Sequence, residues 1–215
     1  MRIILSFISL VFLSIAVVAQ AEPKKANARP EATPAIVAEP FDKADVKAMA
    51  GQCVKLDTEA GVIEMEMFSE QAPESVRNFL NLAATGALDT TTFSRVVPGF
   101  VIQGGNLYSR EGKMTAALGQ RARKTIPDEP NKILHERGIV SMARPEEPNQ
   151  ATTNFFILVS SASYLDGKFA AFGRVTKGMD VVDAINKASV TDEKPEKPVR
   201  IKKATAAACA VVQAQ

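Results

Sequence analysis

Period-two alternation of apolar residues, broken into many short stretches, constrains this chain more than any other feature. Val54, Leu56 and Thr58 share one face of an extended segment, and after Glu59-Ala60-Gly61 the pattern resumes at Ile63, Met65 and Met67. That is a hairpin signal, with Gly61 free to turn the chain. Residues 92–105 read as two short strands broken at Pro98-Gly99. Further strands are expected at 139–143, 155–159 and 171–175, and Val199 and Ile201 mark the last. Only two stretches carry a helical period. The first begins at Pro73, has Glu74 at its positive end and an apolar stripe of Val76, Phe79, Leu80 and Ala83, and stops at Gly86. The second covers 178–187, with Met179, Val182 and Ile185 on one side. Two helices so far apart exclude a βαβ repeat. The pattern predicts a mainly β domain, an antiparallel barrel closed or nearly closed, with helices over its ends.

The 215 residues, 46% apolar and 23% charged, suffice for one domain with a real core and exclude wholesale disorder. A net charge of +2 gives no reason to expect a nucleic acid or an acidic membrane as partner. Residues 1–21 read as an export signal: Arg2, an apolar run from Ile3 to Val18, and the small-x-small site Ala19-Gln20-Ala21. The run falls short of the ~20 residues of a spanning helix, so cleavage near Ala21 and no stable membrane insertion are expected. Residues 22–52 form a Pro/Ala-rich tether with Pro23, Pro30, Pro34 and Pro40, whose last part, 41–52, makes one helical turn or stays loose. The domain is placed at 53–207 and a tail at 208–215. Cys53 and Cys209 stand at its two ends. An oxidising compartment allows a bridge between them, and two separate buried thiols are the alternative.

Several chemistries lack their parts. No nucleophile elbow, P-loop or dinucleotide fingerprint occurs, and one histidine with two distant cysteines builds no metal cluster, so neither metal nor cofactor is expected. His135, in a polar loop before a strand, reads as a surface or loop-bracing residue. The pairs Asp128-Glu129 and Glu146-Glu147 read as solvated charge.

The segment Phe93-Ser94-Arg95-Val96-Val97-Pro98-Gly99-Phe100-Val101-Ile102-Gln103-Gly104-Gly105 brings an arginine and a glutamine together with aromatic and aliphatic residues. An always-charged fork of donors beside an apolar pocket suits a ligand with an apolar body and a carbonyl, although an arginine stem packed on a barrel would read the same way. The segment resembles the cyclophilin signature F-H-R-x-x-P-G-F-x-x-Q-G-G. Ser141-Met142-Ala143, Asn154-Phe155-Phe156-Ile157, Tyr164-Leu165-Asp166-Gly167-Lys168 and Phe172-Gly173-Arg174-Val175 follow in the family's order.

The resemblance implies a closed eight-stranded antiparallel barrel capped by two α-helices, peptidyl-prolyl cis–trans isomerase activity, and a location like that of the bacterial periplasmic cyclophilins. It implies Arg95 as the catalytic arginine with Gln103 beside it, and Phe100, Val101, Phe156 and Leu165 as walls of a proline pocket. Ala143 and Arg144 fall where the residues before proline bind. The resemblance also places Asn154, Tyr164 and Phe169 among the substrate-binding residues, although these and Ser94 depart from the family's usual glutamine, tryptophan, histidine and histidine, which bears on rate and preference. The expected partners are proline-containing unfolded or folding polypeptides, met by a monomer. A binding module or holdase that does not turn proline over is the competing reading.

Overall fold

The alternation at the start of the domain folds as its period requires. In the computed structural model, which describes residues 38–209, the helical turn α1 (Val46–Met49) leads into the hairpin β1 (Gln52–Thr58) and β2 (Gly61–Met67). Val54, Leu56, Ile63 and Met65 are fully buried while their neighbours are half-buried or exposed. The helix α2 (Pro73–Ala84) follows. Then come β3 (Arg95–Val97), β4 (Val101–Gly104), α3 (Ala116–Arg123), β5 (Ile139–Met142), β6 (Phe155–Leu158), β7 (Ala171–Lys177) and α4 (Met179–Asn186). A small hairpin of β8 (Val190–Thr191) and β9 (Lys194–Pro195) precedes β10 (Ile201–Ala208).

Eight strands form one antiparallel sheet in the order β10-β1-β2-β7-β5-β6-β4-β3, curled into a half-barrel. The expected eight-stranded antiparallel sheet is present, but its ladder is open: β3 and β10 are edges and do not pair. The chain ahead of β3 instead meets the start of β10 and the residues before it, in a bridge between Thr92 and Arg200, in bonds of Thr90 and Thr91 to Ile201 at 2.8 Å, and in the bond from Phe93 N–H to the Val199 carbonyl at 2.9 Å. The two expected helices are α2 and α4. The described residues hold four: α1 is a single turn, and α3, as long as α4, buries only Gly119 and Arg121 and so shows no apolar stripe.

Inside the curl, Phe79 of α2 packs on Phe155 and Phe172 with ring centroids 4.9 and 5.1 Å away, and Phe93 meets Phe155 edge-on at 6.2 Å. A second apolar cluster, with Leu158, Val101, Phe156 and Leu165, lies on the other face of the same strands. This is why β5 and β6 are buried at every position rather than alternately.

Two readings of charge are corrected. Ala72 at the N-cap of α2 has no side-chain oxygen to offer, and Glu129 takes its place. Its carboxylate accepts from the backbone N–H groups of Glu74 and Ser75, each at 2.8 Å. Asp128 pairs with Arg144 at 2.8 Å, so neither acid is merely solvated. Residues 39–50, read as the end of the tether, are likewise fastened to the domain. Glu39 pairs with Arg121 at 2.7 Å, Phe41 N–H donates to Asn81, and Met49 is fully buried. The export signal, residues 22–37 of the tether and residues 210–215 of the tail lie outside the described residues.

Cys53 and Cys209 are joined, their sulfurs 2.12 Å apart. The bridge ties the start of β1 to the end of β10, where Cys209 N–H also donates to Gly51 at 2.8 Å. It spans a sequence separation of 156, so it removes much chain entropy from the unfolded state. Replacing both cysteines by alanine should lower the unfolding free energy in urea by about 2–5 kcal/mol, and the same loss is expected from reduction of the native chain.

Candidate active site

The site begins with strand register. Arg95 on β3 stands opposite Gln103 on β4, and Gln103 stands opposite Phe156 on β6. Directly opposed residues share a face, so the arginine, the glutamine and the phenylalanine form a row across the outer surface of the sheet. Val101 and Leu158, one pleat further along, face the same way and are buried beneath it. Arg95 Nη1 donates to Gln103 Oε1 at 3.2 Å, and its Nε donates to Glu193 Oε2 at 2.6 Å.

A cavity of about 160 Å³ opens beside this pair. Phe100, Val101, Phe156 and Leu165 form its apolar walls, Phe169 and Ala143 border it, and Arg95, Gln103 and Arg144 supply its polar rim. Phe169 meets Phe156 edge-on at 6.1 Å, and the Arg144 guanidinium stacks over the Phe169 ring 4.9 Å from its centroid. The donors of Arg144 are engaged within the protein: besides Asp128, it bonds the carbonyls of Pro145, Glu146 and Lys168 at 2.8, 2.7 and 3.1 Å. It therefore stiffens one wall of the cavity. Asn154 and Tyr164 do not line it. The Asn154 carbonyl accepts from Ala143 N–H at 2.9 Å, and Tyr164 is exposed, tilted against Phe100 at 5.9 Å.

Backbone geometry explains two parts of the signature segment. The turn carrying Phe100 has Gly99 at φ 73°, and α4 braces it through Asn186, a buried side chain. Asn186 accepts from Gly99 N–H at 2.8 Å and donates to the carbonyls of Val97 and Val101 at 2.9 and 3.0 Å. Gly105, at φ 87°, lets the chain after β4 pass so close to Thr153 that a Cβ would lie 2.1 Å from its carbonyl oxygen.

His135 is a loop brace, as one of its two readings had it, but it is buried and not on the surface. Its backbone N–H donates to Asp166 Oδ1 at 2.7 Å, its Nδ1 lies 3.1 Å from the same oxygen, and its Nε2 lies 3.0 Å from Ser141 Oγ. The clamp holds the 3₁₀ turn Ser163–Leu165, which carries Leu165 into the cavity, against β5. Glu193 was not singled out from sequence. It lies 98 positions from Arg95, and no local pattern ties the two together.

A larger hollow of about 410 Å³ lies over Phe68, Ile133 and Leu134. Its arginine, Arg174, is already paired with Glu66 at 2.6 Å, and it contains none of the signature residues. Among the described residues no cluster of three or more His, Cys, Asp or Glu could hold a metal ion. No described helix is long and apolar enough to cross a membrane.

A charged donor fork over a small apolar cavity, with no side chain placed to attack, defines a class of protein that binds a carbonyl-bearing, partly apolar segment and can favour one geometry of it over another. Residues 53–206 match the family described as cyclophilin type peptidyl-prolyl cis-trans isomerase/CLD. The chain is 36% identical over 165 residues to a peptidyl-prolyl cis-trans isomerase of Acinetobacter baylyi, covering 72% of this chain and 85% of that protein. It is 38% identical to peptidyl-prolyl cis-trans isomerase A of Dickeya dadantii, covering 70% and 82%. A solved cyclophilin-type isomerase of Cryptosporidium parvum, in the presence of the dipeptide Ala-Pro, superposes with a TM-score of 0.62 at 30% identity, covering 71% of this chain and 97% of that one. The chain belongs to the cyclophilin-type peptidyl-prolyl cis-trans isomerase family.

The clamp makes stability depend on pH. Burial lowers the pKa of His135 below its ordinary 6.5, against the opposing pull of Asp166. The unfolded chain therefore takes up a proton that the native state resists. Stability from this source is complete above about pH 6.5 and is lost as pH falls through the lowered native value. Asp166, held below its ordinary 3.8 chiefly by the His135 backbone N–H, acts in the same direction but only at more acid pH. Urea unfolding followed between about pH 7 and 5 should show stability falling with pH in the native chain. His135→Gln should give a distinctly flatter profile over that interval.

Proposed function

We propose that the chain catalyses rotation about X–Pro bonds in exported polypeptides as they fold in the periplasm, acting as a monomer with Arg95 and Gln103 at its catalytic centre. The observation that carries this is the Arg95–Gln103 pair over a cavity of about 160 Å³ with apolar walls. The cavity suits a pyrrolidine ring. The Ala-Pro dipeptide named with the Cryptosporidium parvum structure supports proline-containing peptides as its ligands. The reading of residues 1–21 as an export signal supports an exported setting, and so does the Cys53–Cys209 bridge, since disulfides persist in oxidising compartments.

Amide resonance puts a barrier of ~18–20 kcal/mol on the rotation. No bond breaks, so no nucleophile, acid or metal has to act. Phe100, Val101, Phe156 and Leu165 hold the ring while the preceding carbonyl turns. As resonance is lost, the prolyl nitrogen regains its lone pair, and the free N–H groups of Arg95 donate to the twisted amide more strongly than to the planar one. Ala143 and the wall stiffened by Arg144 and Phe169 border the run of chain before the proline. Phe169 makes that side apolar, which favours apolar residues there.

A charged hydrogen bond is worth ~1.5–3 kcal/mol, or about ten- to a hundredfold in rate. Arg95→Ala should lower kcat/KM on a short Ala-Pro peptide by that factor, while peptide affinity measured by calorimetry changes by less than about threefold. Peptide binding without turnover in the native chain would instead establish the holdase.

A further inference from the structure

The hairpin of β8 and β9 looks like a poor place for a turn of this sequence. Its two central residues, Asp192 and Glu193, both sit in the left-handed region, at φ 50° and 62°, between the paired residues Thr191 and Lys194. Two-residue hairpins of this kind favour Asn-Gly or Asp-Gly, because glycine takes positive φ without steric cost. The second position here carries a glutamate, and the backbone bears the strain.

What the glutamate reaches accounts for it. Its carboxylate accepts from Arg95 Nε at 2.6 Å, and its backbone carbonyl accepts from Val96 N–H at 2.8 Å, so the hairpin is fixed to β3 beside the arginine. The arginine needs such a partner. β3 is an edge strand of three residues, and the side chain is 40% exposed, with several rotatable bonds between backbone and guanidinium. Gln103 engages Nη1 and Glu193 engages Nε, which leaves three of the five N–H groups free, including both on Nη2. Held at two points, the planar fork has one orientation to present.

We infer that Glu193 is a positioning residue for Arg95: the strained β8–β9 turn delivers a carboxylate that fixes the guanidinium in the orientation in which its free donors meet the twisted amide. The inference rests on the reading of Arg95 given above. It gives Glu193 no contact with substrate, so its loss acts on turnover and leaves binding of the planar peptide nearly untouched. Both partners are largely exposed (40% and 49%), so the pair contributes little to stability. Glycine at position 193 would relieve the turn while removing the carboxylate, which separates positioning from folding.

The test is prolyl isomerisation of a short Ala-Pro peptide by the full exported chain, with kcat, KM and Tm measured for Glu193→Gly, Glu193→Ala and Glu193→Gln. Glu193→Gly and Glu193→Ala should each lower kcat about tenfold with KM within about twofold. Glu193→Gln keeps an oxygen in place to accept from Nε and should recover most of the loss. Glu193→Gly should melt at or above the native temperature. Added to Arg95→Ala, it should lower kcat no further, because it acts through the arginine. Native kcat in Glu193→Gly and Glu193→Ala, a loss confined to KM, no recovery in Glu193→Gln, or an equal further loss on top of Arg95→Ala would each overturn the inference. Native turnover in Arg95→Ala alone would overturn the reading of Arg95 as well, whereas its collapse beside an active Glu193→Gly would remove only the role of Glu193.

Discussion

Four phenylalanine rings inside the curled sheet, Phe79, Phe93, Phe155 and Phe172, set the position of each strand that carries the site. All are fully buried, and they join α2, the approach to β3, β6 and β7 through contacts between 4.9 and 6.2 Å. With Phe155 locked inward, the pleat sends Phe156 outward, and antiparallel register then sets Gln103 and Arg95 beside it. Moving β6 by one residue would turn the site face into the core. The row of Arg95, Gln103 and Phe156 is in this sense the reverse side of the hydrophobic core.

The outer face is also covered, by the segments 131–138, 143–154 and 159–170 that flank β5 and β6, the last of which carries Leu165 and Phe169 to the cavity. Those segments contain little regular structure, and polar contacts at a few points hold them. Arg144 binds five partners, His135 clamps Asp166 and Ser141, and Asn131 bonds the Ala171 carbonyl at 2.9 Å. Each is half-buried or buried, where an unpaired polar group is costly. The cavity walls therefore owe their rigidity to hydrogen bonds as much as to packing.

Charge is arranged by the same economy of distant partners. Glu129 caps α2 from 54 positions away, and Glu39 meets Arg121 across 82. Arg95, beside the cavity, keeps three of its five N–H groups free.

Much of this was legible in the chain itself. The hairpin of β1 and β2, the strands from β3 to β7, and α2 and α4 lie close to where periodicity put them, because each has one face whose burial its own residues dictate. The signature around Arg95 marked the arginine, the glutamine, Phe100 and Val101, and the motifs after it marked Phe156 and Leu165. Other features came only with tertiary structure. The full burial of β5 and β6 depends on a loop folding over them, which no period of two or 3.6 encodes. The open ladder between β3 and β10 depends on how far the sheet curls. Asp128, Glu129 and His135 looked like loop polarity until the fold supplied Arg144, the end of α2 and Asp166. Glu193 meets Arg95 only because a short hairpin is carried to the edge of the sheet. Local periodicity reports which face of a segment is buried. Which groups then meet across the fold depends on chain closure, to which a linear sequence gives no nearby clue.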